Sequence, residues 1–473
     1  MSYRRDRPRV ALVSVLLCVW VGCAASSSEE PPVDPGDPDS VAFAPFPGWP
    51  AEVTSRPIGT AARTAILRLA LDPQQRAWVL HEDGTDLARR DHRAVLESYR
   101  ADGTRERQMT FPAGTRVPEL VVHASGWITV FVLSPDPATV MNTCFLSSCP
   151  LTTVRISPEG ELSPPTPLRD ADGPLRLGYS FGHVVAMADG EGFYLLAWTP
   201  AVTLYRVGED GATRWRAEIL PVHVGMAFFP ASEALTRDDR GRIYVAYQIF
   251  SDDLAIYNDH FGRPPLTPRG SYDVLVQAFD PEGGFVGARL FGGPDLDGHV
   301  GLVVRDDGVI VVGSSRLTKY DEASSPNRTT ERDLLVTSGR LDGLGSESYT
   351  TIDLSRDDRA FAVVAPPDGS LVLVGTTDFV QVDTNSVVEN GKGMIATLSS
   401  DGRLLHQVTL AGPRDVQIAA AQLRADGAIV FAGTRDGPLT HTDPSEHANE
   451  GMLGVARRDL ESSIRARHDF EYH

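Results

Sequence analysis

Six polar residues stand just ahead of short apolar runs or beside such a position, and their side chains are of types that bind ligands. They are His183, His299, Arg359 and Gln417, with Asp295 and Asp297 next to His299. This mixture of imidazole, guanidinium, amide and carboxylate groups suits a polar or anionic small ligand, or the tip of a partner protein. It offers no nucleophile activated by a base, so the pattern favours binding over covalent catalysis.

Two Asp-x-Asp-Gly segments could hold a cation. They are Asp170–Gly173 and Asp295–Gly298, and alternate carboxylates ahead of a glycine can begin a Ca²⁺ loop. Neither segment has a third acidic ligand or a glutamate at the twelfth position, so both are more typical of ordinary Asx turns. We therefore predict no metal site and no cofactor, with calcium as a minor alternative.

The chain begins with a pattern typical of export. Four arginines within the first nine residues precede an apolar stretch, 10–21, which is too short to span a bilayer as a stable helix. The following Trp20-Val21-Gly22-Cys23 resembles the lipobox of bacterial lipoproteins, although tryptophan stands where that motif usually has leucine. The resemblance implies a signal peptide over 1–22 and lipidation of Cys23. The alternative is an ordinary secretory signal with Cys23 incidental.

Residues 23–48 are rich in serine, proline and acidic side chains. Such a segment cannot bury enough apolar surface to offset its ordering entropy, and it predicts a disordered tether. The whole chain carries 44 basic and 63 acidic residues, a net charge of -19. That balance argues against nucleic-acid binding, which needs a basic face. We expect a monomer anchored in the cell envelope, on the periplasmic side or the outer surface.

Two further cysteines, Cys144 and Cys149, lie close together in the chain. An export signal means an oxidising compartment, so we predict a disulfide between them. The rival is half of a metal site, but the sequence supplies no further cysteine ligands.

The strongest architectural signal is an internal repeat of about 60 residues. One element is two short apolar strands around a tight turn, with its clearest copies at 301–313, 361–375 and 419–433, and it occurs seven times. A second element of the same kind, in which glycine usually follows the first strand at the turn, alternates with the first element and also occurs seven times. Asp-Gly turns between short apolar runs are strong hairpin signals. Two hairpins form one four-stranded sheet, and seven sheets arranged radially cover one another.

The stretch Asp273–Ser315 resembles the bacterial β-propeller repeat of exported and surface proteins. The resemblance covers roughly residues 270–435 and implies a propeller without implying an activity. We therefore predict an all-β fold, with one seven-bladed propeller over residues 60–470. No long helical pattern interrupts it. Residues 41–58, which include Trp49 and Val53, are candidates for a closing strand or for packing beneath the ring.

The strands of each predicted blade are A to D from the inside outwards. The A–B and C–D turns are tight and share one face, whereas the B–C and D–A connections share the other face and are long. Binding residues concentrate on long loops held by a rigid scaffold. Of the six polar residues named first, four stand just ahead of A strands and the two aspartates lie beside one of them, so we expect them to converge at the mouth of the central channel.

We conclude from the sequence that the protein is a membrane-anchored, extracytoplasmic lipoprotein. Its propeller would act as a non-catalytic binding or scaffold module for an envelope or extracellular protein or a polar small ligand. The alternative is a periplasmic or surface enzyme, a hydrolase or a quinoprotein-like oxidoreductase, with its site at the channel mouth. The chain has no His-Glu-x-x-His motif and no P-loop lysine motif, so we lean towards a non-enzyme and assign no catalytic residue.

Overall fold

The chain folds as a seven-bladed β-propeller with four strands in each blade, as predicted. The computed structural model describes residues 43–45, 50–59, 63–84, 93–112, 115–133, 150–177, 184–198, 201–221, 234–262, 265–270, 272–293, 296–306, 308–316, 332–342, 347–355, 358–378, 380–381, 388–389, 391–412, 416–435 and 450–457. All of these belong to the second of two compact units, Val41–His473, the first being Met1–Ser40. Among them, no helix is long and apolar enough to cross a membrane.

The strands follow one another blade by blade. The N-terminal strands are β1 (Ala44–Pro45) and β2 (Val53–Ile58). Blade one contains β3 (Arg63–Leu71), β4 (Ala77–Gly84), β5 (Arg93–Tyr99) and β6 (Arg105–Thr110). Blade two contains β7 (Arg116–Val122), β8 (Ile128–Leu133), β9 (Leu151–Ile156) and β10 (Thr166–Pro167), followed by a small hairpin of β11 (Arg169–Asp170) and β12 (Gly173–Pro174). Blade three contains β13 (Val184–Asp189), β14 (Gly192–Trp198), β15 (Val202–Val207) and β16 (Thr213–Leu220).

The remaining blades continue this order. Blade four contains β17 (Leu235–Arg237), β18 (Ile243–Phe250), the helix α1 (Ser251–Phe261), β19 (Tyr272–Phe279) and β20 (Phe285–Phe291). Blade five contains β21 (Leu296–Arg305), β22 (Gly308–Arg316), β23 (Arg332–Arg340) and β24 (Ser348–Ile352). Blade six contains β25 (Arg359–Val364), β26 (Leu371–Thr377), the hairpin β27 (Val380–Gln381) and β28 (Val388–Glu389), β29 (Lys392–Leu398) and β30 (Leu404–Leu410). Blade seven contains β31 (Val416–Leu423), β32 (Ile429–Arg435) and β33 (Glu450–Ala456).

The seven innermost strands form a closed ring, in which each contacts the inner strand of the next blade and β31 contacts β3. Apolar side chains fill each of the seven seams between neighbouring blades. No blade could cover both faces of its own sheet, so radial stacking is what buries them.

Side-chain and backbone hydrogen bonds define the tight turns. In blade four, Asp238 Oδ1 accepts hydrogen bonds from the backbone amides of Arg240 and Arg242, at 3.0 and 2.8 Å. Gly241, which precedes Arg242, has φ of +79°, a conformation that glycine adopts without steric cost. The turn at Asp280 repeats this arrangement. The Asp-x-x-Gly pattern in the sequence is therefore an Asx turn that begins a hairpin.

The inner strands carry a β-bulge near their middle in blades one, two, five, six and seven. In blades six and seven, the bulge brings the inner strand over a glycine of the second strand. A Cβ at Gly375 would lie 1.8 Å from the carbonyl oxygen of Arg359, and one at Gly433 would lie 2.0 Å from that of Gln417. The glycine that ends the repeated apolar run is thus required by the close approach of the backbone.

Blade seven obtains its fourth strand from the N-terminal side of the chain. Strand β2 pairs antiparallel with β33, from Val53 opposite Ala456 to Ile58 opposite Gly451, and β1 pairs with the outer edge of β2. The propeller therefore begins before residue 60, where the sequence analysis placed its start. Residues 41–58 supply the closing strand that the sequence analysis considered.

The seam between blades seven and one, which we call the closing seam, contains a buried charged network. His81 has no exposed side-chain surface, and its Nδ1 lies 2.8 Å from Asp83 Oδ1. Its Nε2 lies 3.2 Å from Glu97 Oε2 as an ion pair rather than an aligned hydrogen bond. Burial alone would lower the pKa of His81, but the hydrogen bond with Asp83 and the negative charges of Asp83 and Glu97 raise that pKa to about 9. The imidazole is therefore a cation between two carboxylates.

The same network reaches the closing strand. Glu97 also accepts a hydrogen bond from the Tyr99 hydroxyl and pairs with Arg105 Nη1 at 3.3 Å. Burial would raise the pKa of Glu97, but His81 and these neighbours lower it. The guanidinium of Arg56, on β2, lies 4.9 Å from the centre of the Tyr99 ring and donates to the carbonyl oxygen of Gly103. The Tyr99 ring and the Gly103 carbonyl of blade one thus help to hold Arg56 and the strand that closes the ring.

Helix α1, in the B–C connection of blade four, was not predicted. Leu254 and Tyr257 are its buried residues, and both pack into the apolar seam between blades three and four. Asn258 exchanges two hydrogen bonds of 3.0 Å with the backbone of Leu266 and so fixes the return of the chain towards β19. Because only two of its eleven side chains are buried, the helix leaves little periodic signal in the sequence.

Candidate functional site

The two faces of the ring differ in construction. On the face of the tight turns, side chains of one blade bind the backbone of the next. Arg305 donates to three carbonyl groups of the turn 366–370, and Trp215 Nε1 donates to the carbonyl of Pro281 at 2.9 Å. These bonds satisfy buried or half-buried polar groups and lock neighbouring blades together.

The opposite, loop-rich face carries the elaborations. Within the described residues these are α1, in the B–C connection of blade four, and the hairpin of β27 and β28, in the B–C connection of blade six. The hairpin of β11 and β12, which follows blade two, lies instead against the tight turn of blade three, where the backbone amide of Arg169 donates to the carbonyl oxygen of Gly211. Variable insertions on one face of a rigid ring are the usual arrangement of a binding surface.

Two of the predicted site residues are fully described. Arg359 is the first residue of β25 and Gln417 the second residue of β31, and both are half-buried. Arg359 pairs with Thr376 and Gln417 pairs with Thr434, and in both blades the next residue of the inner strand pairs with the glycine of the close approach. The two residues therefore occupy equivalent positions on neighbouring inner strands, at the ends that the D–A connections enter.

The other predicted residues fall differently. His183 and Asp295 lie outside the described residues. Asp297 and His299 lie within β21, so that only their backbone can be placed. His299 pairs with Gly313 and so occupies the register position of Ala360, which pairs with Gly375, rather than that of Arg359. His299 and Arg359 are therefore one register position apart in the repeat. Cys23, Cys144 and Cys149 also lie outside the described residues.

A buried carboxylate fixes the chain just ahead of Arg359. Asp358 has no exposed surface. Its Oδ2 accepts hydrogen bonds from the backbone amides of Leu354 and Ser355, at 2.7 and 3.1 Å, and its Oδ1 accepts from the hydroxyls of Ser355 and Thr377, at 3.0 and 2.5 Å. These donors satisfy the carboxylate, so its role is to hold the D–A connection and present Arg359 at the start of β25.

A carboxylate also lies deeper, where the inner strands of blades one and two meet. Glu119, on β7, is almost fully buried and lies 2.7 Å from Nε of Arg68, on β3. Burial raises the pKa of Glu119, and Arg68 offsets this only in part. The pair links two inner strands below the mouth. Sequence analysis missed it because the residues are 51 positions apart.

The first Asp-x-Asp-Gly segment is the turn of the hairpin β11–β12. Arg216 Nη1 contacts the carboxylates of both Asp170 and Asp172, the latter at 3.0 Å. The guanidinium therefore pairs with the carboxylates that a calcium ion would need as ligands. In the part of the chain that the structure describes, no group of three or more His, Cys, Asp or Glu side chains could hold a metal ion.

One further sequence motif precedes blade three. Residues Gly178 to Gly182 read Gly-Tyr-Ser-Phe-Gly, which fits the Gly-x-Ser-x-Gly pattern of a nucleophile elbow. That motif is meaningful on a turn from a strand into a helix. The next element here is strand β13, and the pentapeptide itself lies outside the described residues. The pattern consequently lacks the context that would support a catalytic serine.

Several solved structures are similar to this chain, and the likeness to polysaccharide lyase Uly1 supports the fold. Polysaccharide lyase Uly1 shares 10% sequence identity, with 89% of this chain and 98% of that chain covered, at a TM-score of 0.51. The WD40 domain of Neurospora crassa Pan2 shares 9% identity, covering 83% and 89% of the two chains, at a TM-score of 0.43. YCF48 bound to a D1 peptide shares 9% identity, covering 88% and 99%, at a TM-score of 0.40.

No protein-family model matches the sequence. No curated protein matches it either. At these identities the likeness to solved structures concerns the fold alone.

Proposed function

We propose that this protein is an extracytoplasmic lipoprotein, anchored through Cys23 in the cell envelope, whose propeller is a non-catalytic binding module. The observation that carries the binding role is the difference between the two faces. The tight-turn face uses side chains such as Arg305 and Trp215 to bind neighbouring blades. The loop-rich face bears the helix and the hairpin of β27 and β28, so recognition belongs there.

The mouth of the channel on that face is the centre of the proposed site. Arg359 and Gln417 lie half-buried at equivalent positions of neighbouring inner strands. Polar groups that converge in a concavity on a rigid scaffold are the usual design of a ligand site. Their chemistry suits a polar small ligand or an exposed tip of an envelope or extracellular protein.

The proposal is tested by selective capture. The purified mature chain, immobilised, is exposed to an envelope extract beside two variants: Arg359→Ala with Gln417→Ala on the loop-rich face, and Arg340→Ala with Arg214→Ala on strands away from it. A ligand retained by the wild type and by the second variant, but lost by the first, supports recognition at the mouth. Equal retention by all three, or a loss confined to the second variant, contradicts it.

A further inference from the structure

Four of the five exposed large apolar side chains in the described part of the chain lie on two outer strands. Phe285 and Val286 begin β20 of blade four, and Leu404 and Leu405 begin β30 of blade six. Each is between 38 and 47% exposed, whereas the fifth residue, Ile256, lies on α1. Both pairs come directly after the tight C–D turns, which end at residues 284 and 403. The exposed apolar side chains are therefore concentrated on the rim of the tight-turn face.

The two pairs occupy the same position of the repeat, because each outer strand has a β-bulge at its start. In β20 the pairing shifts directly after Phe285, so that Val286 is the extra residue. In β30 the pairing shifts directly after Leu404, so that Leu405 is the extra residue. A bulge re-aims the side chains that it carries, and at both of these bulges large apolar side chains are left exposed to solvent.

Blades one and three have the same bulge but place charged residues on it. The extra residue is Glu106 in blade one and Arg214 in blade three. Glu106 Oε2 lies 3.5 Å from Nη1 of Arg76, and Arg214 Nη2 lies 2.9 Å from Oδ1 of Asp210. Charged side chains on an outer strand are a common protection against unwanted association. The apolar pairs of blades four and six, which replace such charges, therefore indicate a surface that an apolar partner covers.

The N-terminal side of the chain meets the propeller at the same face. Phe43 is the first described residue, and its ring lies against the C–D turn of blade one, where a Cβ at Gly103 would be 2.7 Å from it. A flexible tether of about 20 residues has a root-mean-square length of roughly 25 Å, which is less than the diameter of roughly 50 Å of a domain of this size. An anchor at Cys23 therefore holds the tight-turn rim closer to the membrane, on average, than the loop-rich face.

We infer that the tight-turn rim of blades four and six contacts the lipid surface in which the chain is anchored, with the two apolar pairs inserted at the level of the headgroups. The inference rests on the proposed anchoring through Cys23. The anchor raises the effective concentration of the membrane at the rim to roughly millimolar, so that a contact too weak for a free protein can form. Because the net charge is -19, anionic lipids do not attract the chain, and the apolar side chains carry the contact. The loop-rich face is then directed away from the membrane.

The experiment uses the lipidated mature chain in phosphatidylcholine vesicles that contain a lipid with a nitroxide quencher in its headgroup. A fluorescent probe is attached at Val286→Cys or at Leu405→Cys, and at Ile256→Cys as the control, because Ile256 is similarly exposed on the helix of the loop-rich face. We expect loss of fluorescence at the first two positions and no loss at the third. High salt should not change this result, since salt screens charges and the contact is apolar.

A second arm keeps the probe at Val286→Cys and replaces both Leu404 and Leu405 by Asn. We expect part of the quenching to be lost, because the contact made by blade six then no longer supports the contact made by blade four. Arg214→Asn is the matched control, because it changes the same bulge position in blade three, and it should leave the quenching unchanged. Circular dichroism of each variant separates lost contact from lost folding.

The inference is overturned if the Val286 and Leu405 probes are quenched no more than the Ile256 probe, or if the double Asn variant keeps the full quenching. Shielding of the probes in native envelopes, without quenching in vesicles of lipid and this chain alone, indicates a protein partner and also overturns it. If mass spectrometry finds no lipid on Cys23, the proposed anchoring fails and this inference fails with it. If the lipid is present, failure of the quenching experiment leaves the proposed function standing.

Discussion

Removing the positive charge of His81 should weaken the closing seam. The imidazole is fully buried between Asp83 and Glu97, and its pKa is raised from 6.5 to about 9. A shift of this size corresponds to about 3 kcal/mol of folding free energy, at about 1.4 kcal/mol per pKa unit. Because the side chain is shielded from water, solvent screening does not reduce this figure in the way it does for surface pairs.

The direction of the pH dependence follows from the raised pKa. In the unfolded chain His81 loses its proton near its ordinary pKa, whereas in the folded chain it keeps the proton until the pH approaches 9. The stabilisation is therefore complete below pH 6.5, declines as the pH rises, and is lost above about 9. Glu97, whose pKa is lowered, stabilises the folded chain at pH values above its ordinary pKa, and this stabilisation is lost as the pH falls through its folded pKa.

The assay is urea unfolding of the wild type and of His81→Gln at about pH 6 and about pH 10. At about pH 6 the free energy of unfolding of the wild type should exceed that of His81→Gln. At about pH 10 this difference should be smaller by about 3 kcal/mol. His123→Gln is a matched control, because burial lowers the pKa of His123; the stability that its neutral form contributes is lost as the pH falls. Parallel pH profiles for the wild type and His81→Gln would refute the reasoning.

Three further predictions concern the backbone and the cysteines. Gly375→Ala should lower the free energy of unfolding by about 1–3 kcal/mol or more, because the added Cβ would meet the carbonyl of Arg359. Gly287→Ala is the control: the nearest neighbour of its Cβ lies at 4.0 Å, so this variant should melt at almost the temperature of the wild type. Cys23→Ser should move the protein from the membrane to the soluble fraction, and a variant that stays in the membrane contradicts lipidation. Free-thiol labelling of the exported, folded protein should modify neither Cys144 nor Cys149, and reduction should destabilise it by about 2 kcal/mol or less. Two reactive thiols would exclude the bridge.

The sequence alone determined the architecture of the ring, because its signals are local. An Asx turn such as the one at Asp238 needs only a few adjacent residues, and its repetition at a fixed period indicates stacked hairpins. It also placed Arg359 and Gln417 just ahead of inner strands, within two residues of where β25 and β31 begin. All of these features depend on residues that are close together along the chain.

Only the tertiary structure decided which strand closes the ring and which side chains share a level at the mouth. Strand β2 pairs with β33 from the far end of the chain, and long-range pairing leaves no periodic trace near either strand. The bulges shift the register of the inner strands, so that Gln417 is equivalent to Arg359 whereas His299 is not. A one-residue shift in register turns a side chain to the other face of its sheet. For that reason, counting positions along the sequence could not identify which residues form the site.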